Sequence, residues 1–339
     1  MKRYSRWLLL VVVAVALTFV WLLFSPRHYG VKQLAERDGT RYWELPTGSR
    51  IAYTYLAGTG EHHPYPLIYL HGGPGAGITG REIETYKKLA AKGYDIYLYD
   101  QVGCGHSERL ENINEYTAGR HRRDLEEIVK KINAEKVILV GQSWGSILAV
   151  MYLAENPSKV HRLVITAPAP IQPANKTMEA VKAPDSLHLR SPYHSERLAQ
   201  MKSSGIRTKM MYYLAKHGIK LAGDKQADAF ATYLTNELNK SMVCDTANAA
   251  EAEGTEGMYV QYMTSRSLGK VRDPRDVIKK LETPVLVMKA QCDNQPWGYT
   301  AEYLQFFPVH QFVLVKNAGH NIFLEQPDQY VRLIDEFLQ

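Results

Sequence analysis

The hydrophobic pattern changes character several times along the chain. Residues Trp7 to Phe24 are apolar apart from Thr18. That run is apolar on every face, unlike a surface helix with one buried stripe. As a helix it would be about 27 Å long, enough to cross a hydrocarbon core. A polar entry segment, Pro26 to Asp38, follows as a short linker. Short β-like runs then recur at Arg41 to Leu45, Ile51 to Leu56, Leu67 to Leu70, Asp95 to Tyr99, Val137 to Val140 and Arg162 to Thr166. From the fourth run on they alternate with helical stretches, Arg120 to Ile132 and Trp144 to Glu155, the latter stopped by Asn156-Pro157. Two more strand-like runs, Val285 to Met288 and Gln311 to Val315, resume the pattern near the C-terminus. Strands that are apolar throughout and alternate with helices predict an α/β fold, a mostly parallel sheet flanked by helices on both faces.

Between these two blocks, from about Ile171 to Val271, strand signals vanish. Helix-like stretches take over, including Ser195 to Lys202, Ile206 to Lys216 and Lys225 to Lys240. Such an insertion predicts a helical cap over the C-terminal edge of the sheet, where folds of this class bind ligands. The expected organisation is a basic cytoplasmic segment (1–6), a transmembrane helix (7–24), a first core part (40–170), the inserted cap (171–271) and a second core part (272–339).

Composition refines this picture in three places. An apolar share of 45% with 22% charged residues is that of a globular protein. The net charge of +6 is spread along the chain with acidic residues among the basic ones. No Arg/Lys stripe with interleaved aromatics is present, so nucleic acid is not an expected partner. The three cysteines, Cys104, Cys244 and Cys292, cannot build a disulfide framework, and no C-x-x-C spacing suggests a metal.

Charge also orients the apolar N-terminal run. Lys2, Arg3 and Arg6 precede it and only Arg27 closely follows. The basic flank should stay in the cytoplasm, making a single-pass cell-membrane protein with its bulk outside. A cleaved signal peptide is the competing reading, because Ala14-Val15-Ala16 has the small-x-small form. The apolar run continues to Phe24, too far past that point for an ordinary cleavage site. A buried globular helix is the third reading, opposed by the all-round apolarity.

The residues that could carry chemistry sit at strand ends. Gly141-Gln142-Ser143-Trp144-Gly145 lies between the run Val137 to Val140 and the helical Trp144 to Glu155. Glycines flanking a serine at a strand-to-helix turn match a nucleophile elbow, which pushes the hydroxyl above the sheet edge. Serine chemistry on acyl groups also needs a base, a carboxylate to orient it, and oxyanion donors. Asp293 follows the run Val285 to Met288, and His320 follows Gln311 to Val315, in the chain order Ser, Asp, His. His71-Gly72-Gly73-Pro74-Gly75 follows Leu67 to Leu70 and offers a backbone donor, Gly73, to pair with the N–H of Trp144. No Gly-Lys-Ser/Thr ending follows that loop, which disfavours a phosphate-binding role. Cys104 and Cys292 read as small residues lining the site region.

Together His71-Gly72-Gly73-Pro74-Gly75, Tyr99 to Ser107, Ser143-Trp144-Gly145-Ser146, Asp293 and Gly319-His320 resemble the proline iminopeptidase family of α/β-hydrolases, to which the tricorn-interacting aminopeptidase is similar. The resemblance covers roughly residues 40 to 339 and is strongest in the core. It implies release of an N-terminal residue, often proline, from peptides, with no metal or cofactor. It also implies that cap carboxylates hold the free α-amino group. Glu256, in Glu256-Gly257-Met258-Tyr259, is the first candidate and Glu237 the second. The competing reading makes either one a solvated helix-face charge. The chain departs from the family pattern at Val102, usually arginine, at His106 and at Gln142.

The expected substrate is a peptide or a small acyl compound. An esterase or lipase-like hydrolase is the alternative, since the same three residues cleave esters. Ser143 stands where epoxide hydrolases and dehalogenases usually need aspartate. A non-catalytic binding protein of the same fold is a further reading, opposed by the complete set of three residues. Oligomeric state is left open by the sequence.

Overall fold

The computed structural model describes residues 2–191 and 196–339. Its strands are β1 (Arg41–Glu44), β2 (Arg50–Leu56), β3 (Leu67–Leu70), β4 (Ile96–Tyr99), β5 (Val137–Gln142), β6 (Val160–Thr166), β7 (Val285–Ala290) and β8 (His310–Val315). Among the described residues they form one sheet in the order β1-β2-β4-β3-β5-β6-β7-β8. The pairs from β4 and β3 through to β8 are parallel. Only the β1–β2 and β2–β4 pairs at one edge are antiparallel.

Helices follow in chain order: α1 (Lys2–Phe24), α2 (Gly80–Ala90), α3 (Ala118–Ile132), α4 (Trp144–Glu155), α5 (Glu196–Ser203), α6 (Ile206–Lys216), α7 (Asp224–Leu238), α8 (Met258–Ser267), α9 (Arg275–Ile278), α10 (Trp297–Phe306), α11 (Ile322–Glu325) and α12 (Pro327–Leu338). Ser195, the start of one helix-like stretch in the sequence, lies outside the described residues; the rest of that stretch falls in α5.

The period of two along a strand explains the layers. In β3, Leu67 and Tyr69 join a core with Tyr86 and Leu89 of α2 and Tyr330, Ile334 and Phe337 of α12. Ile68 and Leu70 point the other way, into a core shared with α3, α4 and Tyr303 of α10. Both faces of β3, β5 and β7 are therefore buried, which accounts for their unbroken apolar runs.

Between β6 and β7 the described residues form helices and no strand. There α7 packs against α5 and α8, and α8 in turn contacts α3 of the core. At the N-terminus α1 contains a 19-residue stretch, Arg6–Phe24, long and apolar enough to cross a membrane. Its side chains from Trp7 onward are mostly exposed. The segment after it is more than a spacer: the Arg37 guanidinium reaches buried Asp100 at 2.7 Å, and Lys32 pairs with Glu251 at 2.7 Å.

Candidate active site

The geometry starts at Ser143, between β5 and α4. Its φ is +53° and its ψ −117°, a conformation rarely adopted by a residue with a side chain. Close packing around the turn enforces it. A Cβ on Gly145 would run into the carbonyl of Leu70, and one on Gly141 would lie 2.5 Å from the carbonyl oxygen of Gly145. Ser146, fully buried, donates its hydroxyl to the Ser143 carbonyl at 2.5 Å, so the second serine of the motif braces the turn.

The loops after β7 and β8 bring the next two residues together. His320 Nδ1 and Asp293 Oδ1 are 2.7 Å apart, and both side chains are buried. Ser143 and His320 line one cavity of about 260 Å³, together with Gly72, Gly73, Gln142 and Glu256. A further bond ties the two loops: Gln142, the residue before the serine, donates its amide to Asn321, the residue after the histidine, at 3.0 Å.

Asp293 has a partner the sequence reading missed. Lys289, at the end of β7, is 1% exposed and donates to Asp293 Oδ2 at 2.8 Å and to the Gln295 carbonyl at 2.6 Å. Burial alone would push the Asp293 carboxyl upward, but Lys289 and His320 outweigh it and hold the group well below the usual carboxylate range. The signal for Lys289 was one charge at the end of an otherwise apolar strand, four positions before the aspartate. The expected strand stopped one residue short of it.

The glycine-rich loop after β3 is fixed from beneath by His71. The Gln101 N–H donates to His71 Nε2 at 3.0 Å, so that nitrogen is the acceptor and Nδ1 carries the proton. Nδ1 then donates to the Gly72 carbonyl at 2.8 Å. Burial pushes the His71 ring below the ordinary histidine range, in keeping with this neutral form. Gly73 has φ +116°, which only glycine adopts freely, and its backbone lines the cavity. Trp144 opens α4, so no preceding turn accepts its N–H, and its indole donates to Gln101 at 2.7 Å.

The two candidate carboxylates diverge. Glu256 is buried, lines the cavity, and accepts from the Thr232 hydroxyl at 2.9 Å. Burial pushes its carboxyl up to about 7. Its loop is stitched to the glycine-rich loop: the Gly257 N–H donates to Gly75 at 2.8 Å, and Thr255 donates to Ala76. Glu237 does not join this site. It sits on α7, held by Lys202 at 2.5 Å with Lys240 at 3.9 Å, and is absent from the cavity lining. The ammonium of Lys202 keeps its carboxyl below the ordinary range.

Two of the three cysteines are paired, contrary to the expectation from sequence. Cys244 and Cys292, 48 positions apart in sequence, have Cα atoms 5.1 Å apart and form a disulfide. It links the segment after α7 to the residue before Asp293, so Cys292 is a tether and not merely a small lining residue. Cys104 alone remains free, and it is buried. A second clasp lies beside the tether: Glu325 accepts from the N–H groups of Cys244 and Gly319 at 2.7 Å each. Reducing the bridge, or making the Cys244→Ser/Cys292→Ser double variant, is expected to cost about 2–4 kcal/mol. Thermal melts with and without reductant should then differ by several degrees, and coincident melts would contradict this. Among the described residues no group of three or more His, Cys, Asp or Glu side chains is placed to hold a metal ion.

A serine on a strained strand-to-helix turn, sharing a cavity with a His–Asp pair at the ends of parallel strands, defines the class of α/β hydrolases. The chain belongs to that family, whose α/β hydrolase fold profile matches residues 65–327. Among curated relatives it is 23% identical to a proline iminopeptidase from Heyndrickxia coagulans over 299 residues, covering 86% of this chain and 96% of the relative. It is 26% identical to a proline iminopeptidase from Lactobacillus helveticus over 309 residues, covering 87% and 96%. Among solved structures, an esterase from Exiguobacterium antarcticum superposes with a TM-score of 0.61 at 15% identity, over 88% of this chain and 99% of the other. Proline iminopeptidase from Mycobacterium smegmatis gives 0.58 at 20% identity, over 88% and 97%. These structural likenesses bear on the fold.

Proposed function

We propose that this protein is a serine peptidase of the proline iminopeptidase kind, which releases N-terminal residues from peptides and is held in the membrane by α1. The observation that carries the reading is a single cavity lined by Ser143, by His320 on its Asp293 partner, and by the buried carboxylate Glu256. The full-length curated relatives point the same way.

In this mechanism Ser143 Oγ attacks the carbonyl carbon of the first peptide bond while His320 takes the hydroxyl proton. The N–H groups of Gly73 and Trp144 receive the developing oxyanion. When the tetrahedral intermediate collapses, the C–N bond breaks and His320 returns the proton to the leaving amine. Water then attacks the acyl-enzyme, with His320 again as base, and the free residue departs. Asp293 stays ionised throughout and holds the imidazole in orientation. Glu256 pairs with the substrate's α-ammonium, so a chain without a free N-terminus loses that contact.

The full-length protein should be assayed on a prolyl amide, its N-acetyl counterpart and a short-chain ester. A peptidase of this kind cleaves the unblocked amide far better than the acetylated one. Turnover of the ester with neither amide cleaved would instead identify an esterase, and silence on all three a binding protein.

The anchor has its own test. With Lys2, Arg3 and Arg6 ahead of the apolar stretch, the catalytic part should face outward. The Cys244–Cys292 disulfide supports that placement, because such bonds persist in oxidising compartments. Protease added to intact spheroplasts or protoplasts should digest the membrane-bound protein. Full protection, or release of a shorter soluble form, would contradict a retained outward anchor.

A further inference from the structure

We propose that Lys289 is a positioning residue that locks Asp293 in place and sets the lowest pH at which the Asp293–His320 pair can serve as base. The inference rests on the reading of Ser143, Asp293 and His320 given above.

Lys289 occupies a position where lysine is seldom found. All six residues of β7 are buried, and the side chain of Lys289 is 1% exposed against 0% for Asp293. A buried ammonium is strongly unfavourable unless it is paired and hydrogen-bonded. Here both conditions are met within one short loop, by Asp293 Oδ2 at 2.8 Å and the Gln295 carbonyl at 2.6 Å. The other oxygen, Asp293 Oδ1, takes His320 Nδ1 at 2.7 Å and the Gln295 N–H at 3.1 Å. The carboxylate is thus held at both ends, and its rotation would break the lysine contact, the histidine contact or both.

The lysine also acts through its charge. At rest the buried Lys289 and Asp293 sum to zero. Once His320 accepts a proton, the cluster of three carries one net positive charge. Without Lys289 the protonated cluster would be neutral, so the lysine makes proton uptake harder. A like charge beside a group that takes up a proton disfavours the charged form. Arg81, Glu82, Glu251 and Glu253 line the same cavity as His320; Glu82 is bonded to Tyr69 and the Thr79 N–H, Glu251 to Lys32 and Glu253 to the Gly80 N–H. Glu325 holds the Gly319, Cys244 and Asp245 N–H groups, Glu302 on α10 pairs with Arg275 at 2.8 Å, and Glu256 accepts from Thr232. Asp245 caps the Ala247 N–H, while His188 and Arg190 meet Gln291 through their backbones. None of these is bonded to Lys289 or His320.

The test is the pH dependence of kcat/KM for the full-length protein, using whichever substrate the parent turns over. Lys289→Gln keeps a donor toward Asp293 and removes the charge. Its acid limb should move to higher pH by at least one unit, with kcat at the optimum falling about tenfold or more. Lys289→Arg should return the limb toward the parent's position. An acid limb that stays in place in Lys289→Gln, with only a lower melting temperature, would overturn the inference and leave Lys289 a structural residue.

If Lys289→Gln does not fold, Lys289→Met, which fills the same buried space without the charge, takes its place. The acid limb must still move upward in that variant, and an unmoved limb would equally overturn the proposal. Ser143→Ala separates the two levels of the argument. Activity surviving in that variant defeats the underlying mechanism, whereas its loss together with an unmoved limb in Lys289→Gln defeats this inference alone.

Discussion

Ser143→Ala is expected to lower kcat by about 10⁴- to 10⁶-fold, the loss seen when a serine nucleophile acting as one unit with its base is removed. The fold should survive the change. Alanine keeps the Cβ that already occupies the strained φ of +53°, and the brace from Ser146 reaches the backbone carbonyl of residue 143, which the substitution leaves in place. A normal melting temperature with activity gone is therefore the expected pair of results. Residual turnover within tenfold of the parent would place the reacting group elsewhere.

The second large effect concerns Glu256. Replacing it with glutamine keeps the size and the contact with Thr232 but removes the negative charge. If that charge faces the substrate's α-ammonium in the buried cavity, kcat/KM for an unblocked amide should fall by about 2–4 kcal/mol, roughly 30- to 1,000-fold. A small ester without the amine should hardly respond. Equal losses on both substrates would mean general damage to the cavity wall.

The pH dependence gives a sharper signature. Burial raises the Glu256 carboxyl to about 7, so preference for the unblocked amide should grow as pH rises through that value and the carboxylate forms. It should decline again above about 8, where the substrate's α-amino group loses its proton. Taking the ratio of amide to ester kcat/KM cancels the titration of His320, which both reactions share. In Glu256→Gln the rise through 7 should disappear.

How much of this was legible in the chain depends on whether the cause was local or distant. The parallel strands could be read because both their faces are buried, leaving continuous apolar runs such as Leu67 to Leu70 and Val137 to Val140. The elbow could be read because the steric demand of its turn falls on the immediate neighbours Gly141 and Gly145. Helix α12 shows its pattern equally openly, with Pro327 at its start and Tyr330, Val331, Ile334, Phe337 and Leu338 on one face, though the eight-strand reading passes over it.

What stayed hidden was set by contacts between distant residues. Glu237 and Glu256 look alike in sequence, and only the fold brings Lys202 against the first while burying the second. The Cys244–Cys292 pair spans 48 positions, and no spacing rule links two cysteines that far apart. Lys289 would ordinarily be assigned to solvent. Its burial makes sense only once Asp293 is seen turning back onto the strand end. The polar stretch after α1 reads as linker, yet Arg37 is fixed by Asp100, 63 residues further on.

The central claim, that Ser143 is the nucleophile, is met most directly by finding which residue a serine-directed phosphonate modifies. The full-length protein would be treated with the reagent, digested, and the adduct located by mass spectrometry. Modification of Ser143 alone, with activity lost in proportion and no labelling of Ser143→Ala, is the predicted result. An adduct on any other residue, or full inactivation without an adduct on Ser143, would contradict it.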